Sequence, residues 1–338
     1  GLHHFDLDCR YGLHPLKSTL TASQIETLMS EMEEQTNPAP QFEELPDAPP
    51  KRRLKLSWPG KLGAVLVLFW VVIIFIGPSI APYYEADILD EELFIVPGGD
   101  EYPDTDFQMP SKVAYLGTDY LGRDTLSRIL YGARTTIGIS FVATMLAYLI
   151  GVTLGIAAAV GGGWLDTGLS RINDAFLSIP HIMLGLIVIA AVGSTIPILI
   201  GITGFIYATS VFRIARSLGQ DVMVSDFVEA AKVRGEGLWW IITREILPNI
   251  AMPLATDFGL RFVYIILFIS SLSFLGLGVQ PPMSDWGSMV KENLAGLLYG
   301  AIAPLVPALA IATLTIAINM IVDDISAHSG GKLAKRMI

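Results

Sequence analysis

The apolar run LGAVLVLFWVVIIFIGPSIAP, at residues 62–82, decides the fold class of this chain. The run contains no charged residue, and it is long enough for a helix that crosses a bilayer, which needs roughly 20 mostly apolar residues. Lipid offers the backbone no hydrogen-bonding partner, so a spanning segment satisfies its own polar groups as a helix. We therefore predict a first membrane-spanning helix here.

Five more apolar runs follow, at residues 135–160, 176–192, 196–212, 250–277 and 301–322. Of the 338 residues, 52% are hydrophobic and only 16% are charged, whereas soluble domains carry about 25% charged residues. The mean hydropathy is +0.55. These features predict an all-α integral membrane protein with six transmembrane helices. The net charge of −10 argues against nucleic acid as a partner.

Basic residues flank the runs unevenly, which predicts the orientation of the bundle. The connection at residues 84–110 is rich in Asp and Glu and lacks Lys and Arg. Since basic residues favour the cytoplasmic side, we expect both termini in the cytoplasm. The basic clusters are Lys51, Arg52, Arg53, Lys55 and Lys61; Arg213, Arg216, Lys232, Arg234 and Arg244; and Lys332, Lys335 and Arg336.

The predicted organisation has five parts. They are a largely disordered cytoplasmic polar tail (1–57), a first transmembrane helix (58–83), a periplasmic acidic loop with a short helix (84–133), a five-helix core with a cytoplasmic loop at 213–249 (134–325), and a cytoplasmic tail (326–338). The disorder is expected because residues 26–50 are acidic and contain several prolines.

No catalytic or metal-binding pattern emerges from the sequence. Cys9 is the only cysteine, and the polar residues around it fit no metal-ligand spacing, so we predict no metal site. The chain has no G-x-x-x-x-G-K-[ST] motif for ATP phosphates and no G-x-S-x-G or H-E-x-x-H motif. We expect a protein that is not an enzyme and binds no cofactor itself.

The cytoplasmic loop contains the stretch DFVEAAKVRGEGLWWIITREILPN at residues 226–249. It predicts two short helices, separated by Gly235 and Gly237, which permit a sharp turn. The two adjacent alanines would let another backbone approach closely. Pro248 stands where the fifth membrane helix is expected to begin, a position that proline tolerates. The stretch is expected to form a rigid knob.

This stretch resembles the EAA motif of the permease subunits of ABC importers. The matching residues are Glu229, Ala230, Ala231, Gly235, Ile246 and Pro248. The resemblance implies a type I importer permease (MetI-like) fold and a coupling helix that docks on an ATPase subunit. Glu245 stands where the family usually has histidine. The alternative is an amphipathic linker without a docking role.

A second stretch precedes the second membrane run and comprises Gly117, Thr118, Asp119, Gly122, Arg123 and Asp124. It resembles the signature of the C-type subunit in dipeptide, oligopeptide and nickel importers, as does SLSFLGLG at residues 271–278 with the Asp285-Trp286-Gly287 that follows. The resemblance covers about residues 60–325. From the residues themselves, we expect Asp124 to cap a helix, and we favour a structural role over substrate contact.

Asp257 and Arg261 lie four residues apart in the fifth membrane run, so they share one face of a helix. Charged residues in hydrocarbon usually pair or face a cavity. They are therefore candidates for the translocation path, and the equal alternative is an ion pair at a helix interface. For His181, at the start of the third run, we favour a packed histidine over a ligand.

The resemblance implies a set of partners in the inner membrane of a prokaryote. They are a homologous permease subunit in a heterodimer, two ABC ATPase subunits that hold ATP and Mg, a periplasmic or tethered solute-binding protein, and the lipid bilayer. The rival hypothesis is a self-contained secondary transporter or channel driven by an ion gradient. It would predict internal inverted repeats, and the sequence contains no clear repeat.

Overall fold

The computed structural model describes residues 56–90, 93 and 105–334, and the predictions for the N-terminal tail, the middle of the acidic loop and the last four residues lie outside this part. Within it, the regular structure is helical apart from isolated bridges, which confirms the predicted all-α class. The helices are α1 (Trp58–Ile80), α2 (Thr125–Gly161), α3 (Gly163–Leu177), α4 (His181–Val192), α5 (Ile196–Met223), α6 (Asp226–Val233), α7 (Leu247–Phe274), α8 (Trp286–Glu292) and α9 (Leu305–Ala334).

Five helices in the described part are long and apolar enough to cross a membrane, and a bent pair brings the number to six. The five are α1, α2, α5, the continuous helix Leu238–Phe274 that includes α7, and Leu305–Ala327 of α9. Residues 125–133 of the predicted acidic loop belong to α2, which runs without interruption from Thr125.

The third predicted span, at residues 176–192, is wrong as a single helix. Phe176 belongs to the end of α3, whereas α4 begins at His181, and the two helices meet at an angle of 82°. Pro180 precedes α4 with an extended ψ of 129°, and a proline also disfavours helical backbone in the residue before it. The 12 residues of α4 extend about 18 Å, so the crossing requires both helices of the bent pair.

Glycines bring α2 and α5 into close, parallel packing. A Cβ on Gly155 would lie 2.7 Å from the backbone oxygen of Phe212, and one on Gly151 would lie 2.8 Å from that of Ala208. Small residues at such positions let membrane helices associate through backbone contact, since lipid-embedded helices gain nothing from excluding water. The contact continues at Gly219, which faces Ala159.

The start of α1 and the end of α9 lie at one end of the bundle. The backbone N–H of Ser57 donates to the carboxylate of Asp324, at 3.1 Å from Oδ2. The helices α7 and α9 are antiparallel, because Gly259 lies opposite Val322 whereas Phe274 and Ala308 line one cavity, so the beginning of α7 lies toward this same end. The segment at residues 226–246 and the start of α1 are therefore at one end, while α8 is at the other. The side of the membrane that each end faces stays a prediction.

Candidate functional site

The connection between α5 and α7 is a folded knob anchored to the bundle. Val228 and Ala231 of α6 are fully buried. They pack in one apolar cluster with Ile156 of α2 and Ala215 of α5. The spacing of three residues between Val228 and Ala231 puts both on the face of α6 that meets the bundle. The knob is thus fixed to the two helices that pack most closely together.

The end of α6 is closed by a Schellman motif around Gly235. The N–H of Gly235 donates to the carbonyl of Lys232 at 3.0 Å, and the N–H of Glu236 donates to that of Ala231 at 3.1 Å. This pattern of bonds requires a left-handed residue after the helix, and Gly235 has a φ of +84°. The predicted break between two helices is confirmed here.

The chain then returns into the bundle as one continuous helix. A helical turn at Leu238–Trp240 leads into a π-helical segment, Ile241–Ile246, and then into α7. The N–H of Leu247 donates to the carbonyl of Ile242, five residues earlier. Pro248, which has no N–H, lies in the first turn of α7. The wider π-helical turn accommodates it without ending the helix.

The EAA-like residues divide into an inner and an outer set. Ala231 and Ile246 are fully buried within this chain, so Ala231 packs against the bundle itself. Glu229, Ala230, Gly235 and Pro248 are exposed. Two large apolar side chains share the exposed surface of the knob, since Val233 is 84% exposed and Trp239 is 76% exposed.

A second cluster lies at the opposite end of the bundle, and it contains the predicted signature loop. Asp119 is buried and accepts hydrogen bonds from the backbone N–H groups of Leu121 and Arg123, both at 2.9 Å. Its other oxygen pairs with the guanidinium groups of Arg123, at 2.7 Å, and of Arg128. Both arginines also contact Glu292, at the end of α8.

The remaining signature residues shape this loop. Gly117 and Gly122 have φ values of +73° and +76°, which favour glycine. The hydroxyl of Thr118 donates to the carbonyl of Thr105. Asp124 caps α2, because its carboxylate accepts from the N–H of Ser127 at 2.7 Å and from its hydroxyl at 2.6 Å, which confirms the capping prediction.

The structure also joins the signature loop to the distant Asp285-Trp286 segment. Arg128 donates to the hydroxyl of Ser284 at 3.2 Å. The carboxylate of Asp285, which caps α8, accepts from the hydroxyl of Thr136 at 2.8 Å. Complete burial raises the pKa of Asp285, and its hydrogen bonds oppose this shift. The two signature stretches thus form one buried polar cluster.

The two charged residues of α7 form an ion pair that includes a third group. Nε of Arg261 lies 3.2 Å from Oδ1 of Asp257, and the hydroxyl of Tyr148, on α2, donates to Oδ2 at 2.5 Å. The helical spacing predicted the pair. Tyr148 was missed, because an isolated tyrosine in an apolar run carries no signal of its partner. Glu292 was also missed, because nothing in the sequence shows that it lies beside Arg123 and Arg128.

The fold and these clusters define a multi-pass membrane protein with a folded knob at one end and a buried polar cluster at the other. A family model described as the inner membrane component of binding-protein-dependent transport systems matches residues 151–334. The chain belongs to this family, whose members are transport permeases with the MetI-like fold expected above.

Curated relatives extend the similarity toward the N-terminus. The glutathione transport system permease protein GsiD of Pectobacterium atrosepticum is 34% identical over 222 residues, covering 64% of this chain and 72% of the relative. The dipeptide transport system permease protein DppC of Alkalihalophilus pseudofirmus is 34% identical over 223 residues, covering 66% and 73%. The GsiD of Escherichia coli O6:K15:H31 is 31% identical over 280 residues, covering 81% and 86%.

Proposed function

We propose that this chain is the transmembrane permease subunit of an ATP-binding-cassette importer for di- or oligopeptides or a related small solute. It forms the translocation path with a homologous permease in the inner membrane of a prokaryote. It binds no cofactor itself, because ATP and Mg are held by two ATPase partners, and a periplasmic or tethered binding protein delivers the solute. The relatives named for dipeptide and glutathione transport support this solute class.

The observation that carries the proposal is the division of the knob at residues 226–246 into a buried and an exposed face. Val228 and Ala231 are fully buried against α2 and α5, so a force applied to the knob reaches these helices through rigid packing. Ala230 and Glu229 are exposed, and Trp239 adds exposed apolar surface to the same knob. An exposed apolar patch on a rigid protrusion is suited to docking in a partner's cleft.

In the proposed mechanism, nucleotide shifts the transporter between two arrangements. ATP binding draws the two ATPases together and moves the two knobs, one from each permease, so that the path opens outward. Hydrolysis resets it. Nucleotide shifts this equilibrium only as far as it favours one arrangement over the other, which makes the docked knob the route of coupling.

A bulky side chain on the exposed face tests this proposal. Tryptophan in place of Ala230 leaves the buried face intact and occupies the space of the docked ATPase, a clash expected to cost about 1–3 kcal/mol. We expect co-purification with the ATPases and ATP-driven uptake to fall about tenfold or more. The matched control is Ala295→Trp, an exposed alanine at the other end of the bundle. Uptake and co-purification at the level of the unmodified protein in Ala230→Trp would refute the docking role.

The rival function is a secondary transporter or channel that needs no ATPase. Its only candidate relay in the described membrane helices is the Asp257–Arg261 pair with Tyr148. Uptake by the purified chain alone in liposomes, driven by an ion gradient, would favour the rival. Uptake that requires ATP and the other subunits would favour the importer.

A further inference from the structure

The midpoint of α7 presents a cationic and aromatic face. Arg261 lies about 20 Å from either end of α7, at a rise of 1.5 Å per residue. Tyr264, one turn further along, has its ring 6.0 Å from the guanidinium carbon of Arg261, and it is 50% exposed. A partly exposed arginine at this depth is costly against lipid, so such residues face a cavity or a protein partner.

The negative charge of Asp257 is already engaged from two sides. Tyr148 donates to Oδ2 at 2.5 Å, and Nε of Arg261 lies 3.2 Å from Oδ1. The side chain of Asp257 is also less exposed than that of Arg261, at 11% against 19%. The carboxylate of Asp257 is thus held by Tyr148 of α2, while the side chain of Arg261 is the more exposed of the two.

The guanidinium of Arg261 can still donate hydrogen bonds to a ligand. Only its Nε takes part in a hydrogen bond with another described residue, and its two terminal nitrogens, Nη1 and Nη2, make none within that part of the chain. These two nitrogens donate in a fixed fork that matches a carboxylate. Asp257 partly offsets the positive charge of Arg261 but leaves Nη1 and Nη2 free of hydrogen bonds within the described residues.

Two further side chains line the same region. The hydroxyl of Tyr207, on α5, donates to the carbonyl of Tyr264 at 3.2 Å. The ring of His181, at the start of α4, lies 5.5 Å from that of Tyr207. The aromatic contacts link α4 and α5 to the arginine-bearing turn of α7. Tyr207 and His181 thus bring hydrogen-bond donors and aromatic rings to this region, and neither side chain is a carboxylate.

We propose that Arg261, beside Tyr264 and near the Tyr207–His181 pair, is a transient binding site for the carboxylate of the transported solute. The proposal rests on the function proposed above and assigns that path a preference for solutes with a free carboxylate. The binding is transient because Asp257 competes for the guanidinium, and a site on a conduction path must release its ligand.

Charged thiol reagents test the site without knowledge of the solute. Cys9 is the only cysteine of this chain, so Cys9→Ser removes its thiol, and Tyr264→Cys is placed in that variant. The full-length chain, in membranes with its partner subunits, is treated with anionic sulfonatoethyl and cationic trimethylammonioethyl methanethiosulfonate. We expect both to react, with an anionic-to-cationic rate ratio higher than that of a small free thiol, because a thiolate by itself favours the cationic reagent. Arg261→Gln should lower the anionic-to-cationic rate ratio by about tenfold, the effect of one charge about 6 Å away in a water-like medium.

Matched variants make each outcome decisive. Leu309→Cys, on a side chain of α9 that is 63% exposed, reports a lipid-facing thiol and should react with neither reagent. If Tyr264→Cys is equally unreactive, its face lies in lipid or against protein and the proposal is overturned. A ratio that Arg261→Gln leaves unchanged overturns it as well. Arg261→Lys should retain the raised rate ratio, which separates loss of charge from loss of folding.

The thiol test is independent of the coupling test. Ala230→Trp addresses the ATPases, whereas the rate ratio at residue 264 measures water access and local charge in the bundle. A coupling failure would therefore leave the thiol result unaffected.

Discussion

Arg128 on α2 and Glu292 at the end of α8 are 164 positions apart in the chain, yet Nη1 of Arg128 lies 3.2 Å from Oε2 of Glu292. The same guanidinium pairs with Asp119 and donates through Nε to Ser284. Arg128 is 1% exposed. One buried arginine thus joins the signature loop, the second membrane helix and the segment around α8.

Replacement of Arg128 by Met should destabilise the protein strongly. It would leave the carboxylates of Asp119 and Glu292 with Arg123 alone as their shared basic partner, and breaking a buried pair costs about 3–5 kcal/mol. The measurement is the free energy of unfolding of the purified protein in mixed micelles. The control is Arg234→Met, because Arg234 is 54% exposed and lies 3.9 Å from Glu236. It should change stability by less than about 1 kcal/mol, and an equal loss in both variants would contradict the prediction.

Two glycines of α2 should differ in how much stability the protein loses when each is replaced by alanine. Gly155→Ala would place a methyl group 2.7 Å from the backbone oxygen of Phe212, and backbone atoms move only with the helix, so we expect a loss of about 1–3 kcal/mol. Gly138, in the same helix, has nothing within 4 Å of an added Cβ. Gly138→Ala should be neutral or stabilising by up to about 1 kcal/mol, the difference in helix propensity. Thermal unfolding of both variants tests the contrast, which fails if Gly155→Ala is as stable as Gly138→Ala.

Hydropathy predicted the membrane helices well because lipid imposes one requirement on all of them, an apolar stretch of sufficient length. It could not predict the 82° bend before α4, since hydropathy measures apolar character and not backbone direction; Pro180 was the local signal for a break. Local rules also succeeded where the partners are close in sequence, as with the Asp124 cap and the Asp257–Arg261 pair.

Contacts between distant segments were beyond the sequence. No local pattern connects Arg128 to Glu292, or Tyr148 to Asp257, because both depend on how two helices pack. The EAA-like residues show the same limit. Adjacent alanines at 230 and 231 look equivalent in sequence, but the docking of α6 buries only Ala231.

Gly235 and Gly237 should respond differently to alanine. Neither glycine has a neighbour within 4 Å of an added Cβ, so only backbone conformation separates them. Gly235 has a φ of +84°, where alanine costs about 1–2 kcal/mol, whereas Gly237 has a φ of −73°. Gly235→Ala should speed hydrogen exchange at the Glu236 amide by about fivefold or more, and Gly237→Ala should not. Unchanged exchange in Gly235→Ala would show that the Schellman motif does not hold the knob.

The N-terminal caps of α2 and α5 give the last contrast. Asp124 accepts two hydrogen bonds from Ser127 and is almost fully buried, whereas Thr195, at the equivalent position of α5, makes no capping hydrogen bond through its side chain. Asp124→Ala should therefore lower the free energy of unfolding by about 0.5–2 kcal/mol, and Thr195→Ala should leave it nearly unchanged. Asp124→Asn keeps an acceptor oxygen and should recover most of the loss. If Asp124→Ala and Thr195→Ala unfold alike, the carboxylate does not stabilise the start of α2.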